Sequence, residues 1–264
     1  MIGWLRPRRH PARLIEDDAW DDALRALPFL AARPEPDRTR LRALAERFLA
    51  AKTISGAAGV EPDARMRASI AAQACLPVLE LGLDWYDDFV EIVVYPGAFV
   101  VPRRQTDDDG VVHEWTDALA GEAMDGGPVV LSWEDVEQAV HDPMYNVVIH
   151  EFAHKLDLAD GAADGCPPLP RSLAVPWRDA LRDAFERFAA QVEAAERSVP
   201  RHVDPEGPAA DRYFAGLPLD PYAATDEAEF FAVASEAFFV DNARLRTAFP
   251  DFEALMRRFY RQQP

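Results

Sequence analysis

The sequence predicts an α+β fold, mostly helical, with a small mixed sheet. Long stretches near both ends carry apolar residues at helical spacing, whereas short β-branched and aromatic runs gather in the middle, at 89–101 and 129–131. That order, helices then a few strands then helices, is the signature of an α+β arrangement. At 264 residues the chain can bury a sizeable core and lies near the upper limit for one domain. A single domain over 1–264, with a helical N-terminal part at about 15–80, is therefore expected.

The basic residues Arg6, Arg8, Arg9, His10 and Arg13 are not followed by an apolar run of signal length, so they read as a solvated terminus. From Asp37 to Ala51, Leu41, Leu44, Phe48 and Leu49 mark one helix face, approached through Pro34 and Pro36. A second helix runs from about Asp63 through Met66, Ile70 and Cys75 towards Leu79, until Gly82 interrupts it. Phe89–Tyr95 and Phe99–Val101, separated by Pro96-Gly97, read as strands.

Residues 103–127, with the acid run Asp107-Asp108-Asp109, read as a long polar connection back to a strand at Val129–Leu131. Asp142 and Pro143 form a good cap and first turn for a helix that continues through Val147, Val148 and Ile149 to a break at Asp160-Gly161. After a Gly/Pro-rich stretch at 159–174, a long amphipathic helix presents Trp177, Leu181, Phe185, Phe188 and Val192. Residues 197–221, with five prolines, read as an irregular loop. Two helices close the chain, one from about Asp226 to Phe239 and one starting at Pro250.

Several classes of function are disfavoured by composition. With 28 Lys and Arg against 46 Asp and Glu, the net charge is −18, which opposes direct contact with nucleic acid or anionic lipid. No stretch approaches the roughly 20 apolar residues of a membrane span. The two cysteines, Cys75 and Cys166, are far apart and suggest neither a disulfide framework nor a cysteine zinc site. A cytoplasmic location fits best.

The chemistry concentrates in His150-Glu151-Phe152-Ala153-His154. Residues four apart on a helix lie about 40° apart around its axis and roughly 6 Å along it, so two imidazoles can reach one ion. Glu151 is rotated by about 100° from His150 and can hold its carboxylate beside a metal rather than on it. From there it can take a proton from a water the metal has activated. The surrounding positions Val147, Val148, Ile149, Phe152 and Leu156 are apolar, and polar groups on so buried a helix need partners. Two neutral imidazoles and a carboxylate suit Zn²⁺ better than Mg²⁺ or Ca²⁺.

A catalytic zinc takes three protein ligands. Asp157 shares the histidine face but lies about 10.5 Å along the axis from His150, which suits a hydrogen bond to His154 better than ligation. His113 and His141 have no positional argument. Glu229 and Glu236, seven apart and on one face of a later helix, divide the third-ligand role evenly on residue type alone. The competing readings are a capping box with Asp226 for Glu229 and a solvated acid for Glu236.

Val148–Asp157 and Tyr222–Phe230 together resemble the Mlc titration factor A family of zinc metallopeptidases. Glu46–Leu49, Cys75–Leu83, Tyr95–Val101 and Gly127–Trp133 resemble it in the same order, so the likeness spans most of the chain from about residue 40. It implies a zincin-like fold and aminopeptidase activity on short peptides. It also implies His150, His154 and Glu229 as zinc ligands, Glu151 as general base, and Tyr222 as a phenol placed to hydrogen-bond an oxyanion. A second implied activity is binding of a glucose-responsive transcriptional repressor. The longer, proline-rich stretch at 197–221 departs from the family pattern and bears on substrate access and partner choice. The competing function is a regulatory binding module with a structural zinc. Glu151 argues against it, because a closed four-ligand site has no use for a carboxylate beside it.

Overall fold

The structure, a computed structural model, describes residues 14–106, 112–138, 144–205 and 207–264. The basic residues at 6–13, the acid run Asp107–Asp109, His141, the Asp142-Pro143 pair and the His113 side chain lie outside the described residues. Helices α1 (Asp17–Ala26), α2 (Pro28–Ala31) and α3 (Glu35–Ala51) open the chain, followed by strand β1 (Thr53–Gly56) and α4 (Ala64–Cys75). Asp63 caps α4 by accepting the Met66 N–H, so its side chain satisfies a donor that the first turn leaves unpaired.

Strands β2 (Glu91–Tyr95), β3 (Phe99–Thr106), β4 (Val112–Leu119), β5 (Gly121–Ala123) and β6 (Val129–Ser132) follow. The main sheet has the order β1-β2-β6-β5, parallel except for the antiparallel edge strand β5. It is thus small and mixed, as expected of this α+β chain. The polar connection expected at 103–127 is instead largely strand. Phe99–Thr106 and Val112–Leu119 pair antiparallel as a ribbon, and Gly121–Ala123 joins the main sheet. A two-stranded ribbon is held by backbone hydrogen bonds, which do not depend on side-chain polarity, so polar composition does not exclude it. β1 has no apolar alternation long enough to announce it; it forms because Thr53–Gly56 can pair beside Glu91–Val94.

Short α5 (Trp133–Gln138) leads towards the histidine helix α6 (Val147–Asp157). The start of α6 differs from the expected Asp142-Pro143. Asn146 is the cap, its Oδ1 accepting the Ile149 N–H at 2.9 Å while its amide donates to Gln73 on α4 at 2.8 Å. A tertiary partner decides which of two good local caps is used. Beyond α6 come α7 (Arg171–Ser198), the single turn α8 (Asp211–Phe214), a 3₁₀ turn at Pro221–Ala224, and α9 (Glu227–Val240). The stretch at 197–221 is mostly turns, yet Ala210, Leu217 and Leu219 are buried and pin it to the core. Three helices close the chain rather than two, because Asp241 ends α9 and caps α10 (Asn242–Ala248) ahead of α11 (Pro250–Tyr260).

Helix α6 lies at the centre, packed on α9, α4, β5 and β6. Phe152 projects from it into an edge-on aromatic cluster with Phe48, Tyr86 and Phe89, which fixes its rotation about its axis. On the far side, Trp177 of α7 meets Phe231, Phe252 and Phe259 and locks α7, α9 and α11 together. Nearly every position of α9 is buried, so its carboxylates Glu229 and Glu236 are carried into the interior by the packing of their neighbours.

Candidate metal centre

His150 and His154 stand one turn apart on α6, and Glu229 reaches them from the first turn of α9. Their facing atoms converge: His150 Nε2 is 3.1 Å from His154 Nε2 and 3.0 Å from Glu229 Oε2, and His154 Nε2 is 3.3 Å from the same oxygen. Ligands of a tetrahedral ion at about 2.0–2.1 Å are separated by about 3.3 Å, so these spacings match a shared Zn²⁺.

Proton placement points the same way. Glu236 Oε1 lies 2.7 Å from His150 Nδ1, which makes that nitrogen the donor and leaves Nε2 a bare lone pair facing the other two groups. Three acceptors aimed at one point need a cation or extra protons between them. The two nitrogens and the oxygen form the one such grouping of ligand atoms among the described residues, all within 4.8 Å of one another. The donor set therefore fits a bound zinc.

The electrostatics follow from this crowding. Where no cation lies between the three acceptors an extra proton takes its place: burial opposes a charge on His150, but hydrogen bonds to Glu229 and Glu236 outweigh it and hold its pKa well above the ordinary histidine value. Burial would raise the Glu229 pKa, yet the bonds to His150 and His154 pull it well below the carboxylate range. Glu236, fully enclosed, is raised by burial despite its bond to His150. It also accepts the backbone N–H of Asn146, so one carboxylate fixes both a histidine ring and the start of its helix.

Glu151 lies against β5, on the wall of the cleft that His150 also lines. A Cβ at Gly121 would come within 2.3 Å of Glu151 Oε1, so only glycine leaves room for this carboxylate. Burial raises its pKa. It opens onto a cleft of about 240 Å³ lined also by Tyr145, His150, Asp220, Tyr222 and Glu236. The Tyr222 ring centroid is 6.0 Å from that of His150, and half of the residue is exposed. Partial burial, then the charges of Glu229 and Glu151, push its phenol up to about 12.

Asp157 departs from expectation. Its Oδ2 accepts the Gly165 N–H at 2.8 Å and its Oδ1 has no partner, so it secures the loop after α6 rather than bonding His154. Asp226 does cap α9 by accepting the Glu229 N–H at 2.9 Å, but the Glu229 carboxylate turns to the histidines instead of closing a capping box. Gly121, Asn146 and Asp220 escaped sequence reasoning. Only Asn146 carried a signal, as a cap residue three before Ile149.

The pattern of the family described as glucose-regulated metallo-peptidase M90 matches residues 2–261. The chain belongs to this family. Its relatives include Mlc titration factor A of Salmonella gallinarum, 39% identical over 94% of this chain and 88% of that protein. The protein of the same name from Salmonella arizonae is 39% identical over 94% and 92% of the two chains, and that from Escherichia fergusonii is 38% identical over 94% and 88%. M90 membership gives the converging His150, His154 and Glu229 a metallopeptidase context. No described helix is long and apolar enough to cross a membrane.

Proposed function

We propose that this M90 chain is a cytoplasmic, zinc-dependent peptidase of aminopeptidase type, with a zincin-like domain over residues 1–264. His150, His154 and Glu229 are its metal ligands and Glu151 is its general base. The observation that carries this reading is the triangle of ligand atoms 3.0–3.3 Å apart, with a fourth carboxylate beside it on the wall of an open cleft.

Zinc in this position would supply a Lewis acid for the scissile carbonyl and lower the pKa of a water to about 7. Glu151 takes the proton of the attacking water and returns it to the leaving amine. Burial raises its pKa, which strengthens it as a base for that proton. Tyr222 stays protonated, since its pKa is pushed up to about 12, and its phenol donates to the oxyanion of the tetrahedral intermediate. Glu236 does not react; it holds His150 in one tautomer and one orientation. Asp220 on the cleft wall gives a free amino terminus an opposite charge, which favours the aminopeptidase type over cleavage within a chain.

A second reading rests on the family resemblance, with which the relatives' name, Mlc titration factor A, agrees: the chain also binds a glucose-responsive transcriptional repressor. In the alternative form, a regulatory module with a structural zinc, Glu151 and its cleft would have no task. Metal analysis coupled to a cleavage screen with short peptides tests the proposal. About one zinc per chain and chelator-sensitive release of amino-terminal residues are expected. Absence of zinc, or cleavage that survives a chelator, would overturn it.

A further inference from the structure

Glu151 and Lys155 lie four residues apart, on one face of α6, and both meet β5 or the turn that follows it. Glu151 rests against Gly121 at the start of the strand. Lys155, wholly buried, reaches the turn at its end: Nζ donates to Met124 O at 2.7 Å and to Gly127 O at 3.3 Å. Its third partner is Asp88 Oδ2 at 2.6 Å, and the Phe89 ring centroid lies 4.9 Å away. All three ammonium donors are thus used. The same turn is closed internally by the Gly127 N–H on Met124 O, with Gly126 in the left-handed region at φ 58°.

An apolar side chain of equal length would fill this space without any charge to bury, so packing does not account for a lysine here. What the ammonium adds is direction. Charge-assisted bonds to two carbonyls and a carboxylate fix the β5–β6 turn relative to α6 at the end opposite Gly121. The edge strand is then held at both ends, and the surface against which Glu151 sits cannot slide along the helix.

We infer that Lys155 is a positioning residue for Glu151, clamping the β5–β6 turn to α6 so that Gly121 seats the Glu151 carboxylate beside the metal ligands. This rests on the peptidase reading given above. The clamp acts on the proton-transfer step and leaves the ligand triangle alone, because His150 and His154 belong to α6 itself and Glu229 to α9, and none of the three comes from the β5–β6 turn.

The test compares Lys155→Met and Gly121→Ala with the wild-type full chain, each loaded with zinc. Expected are unchanged zinc content, a fall in kcat of about tenfold or more, and KM within about threefold. Lys155→Met should also speed amide hydrogen exchange over residues 122–128 while α9 keeps its protection. A Lys155→Met protein that only melts earlier, with wild-type kcat per bound zinc and wild-type exchange at 122–128, would overturn the inference. So would wild-type kcat in Gly121→Ala. Should Lys155→Met not fold, Asp88→Asn takes its place, with the same pattern at smaller size expected and an unchanged kcat counting against the clamp. If the zinc-loaded wild type cleaves no peptide, it is the peptidase reading that has failed. The exchange comparison then decides the clamp alone, and unchanged protection at 122–128 rejects it.

Discussion

Glu236 Oε1 sits 2.7 Å from His150 Nδ1, on the side of the ring away from the ligand triangle. Glu229 and Glu236 are two turns apart on α9, yet both touch His150, one at each ring nitrogen. They therefore do different work with the same functional group. Glu229→Gln removes a charged ligand and should cost a large part of the zinc affinity. Glu236→Gln weakens a supporting bond and should cost about 10- to 100-fold. Zinc content after dialysis checks this, and the reverse order would move the ligand to Glu236.

Glu151→Gln should keep the metal and lose nearly all hydrolysis, because the amide is close to isosteric but cannot accept the water's proton. The expected loss in transition-state stabilisation is roughly several kcal/mol. Turnover of the zinc-loaded variant at the wild-type rate would remove Glu151 from the general-base role.

Asp157 offers a pH test of stability. Burial raises its pKa to about 7, against the bond from Gly165 that lowers it. An unfolded aspartate titrates near 3.9, so the folded chain binds the extra proton between the two values. The stability from this group is present in full below about pH 4 and is lost as pH rises through about 7. Asp157→Asn keeps an acceptor for Gly165 and removes the titration. Its melting temperature relative to wild type should rise by about several degrees between pH 5 and pH 8. A constant difference across that range would show that Asp157 is not protonated in the fold.

The segment between α7 and α8 should be dispensable for the metal. Arg201, His202 and Asp204 are exposed, whereas Ala210, Leu217 and Leu219 anchor the later part in the core. Replacing 201–208 with a short glycine-serine link should leave zinc content unchanged and alter which peptides are cleaved. Loss of the metal on this replacement would tie the segment to the site.

The pair His150 and His154 was legible in the sequence because both ligands lie on one helix, where the spacing alone sets the geometry. The long amphipathic α7 and the strand at Val129–Leu131 were legible for the same reason: a local period or a β-branched run determines a local element. The ribbon beyond Val101 and the short β1 were not, since a strand of few or polar residues exists only through the partner it pairs with. The choice of Asn146 over Asp142 as cap likewise depended on Gln73 and Glu236, distant in the chain. Glu229 and Glu236 remained equivalent by residue type, and the family resemblance, together with Glu229's place in the first turn, favoured the first. Only the packing of α9 on α6 set one carboxylate at Nε2 and the other at Nδ1 of the same ring. The seat of Glu151 against Gly121 is of this second kind, because whether a strand leaves space for a side chain depends on where two elements meet and not on the residues of either.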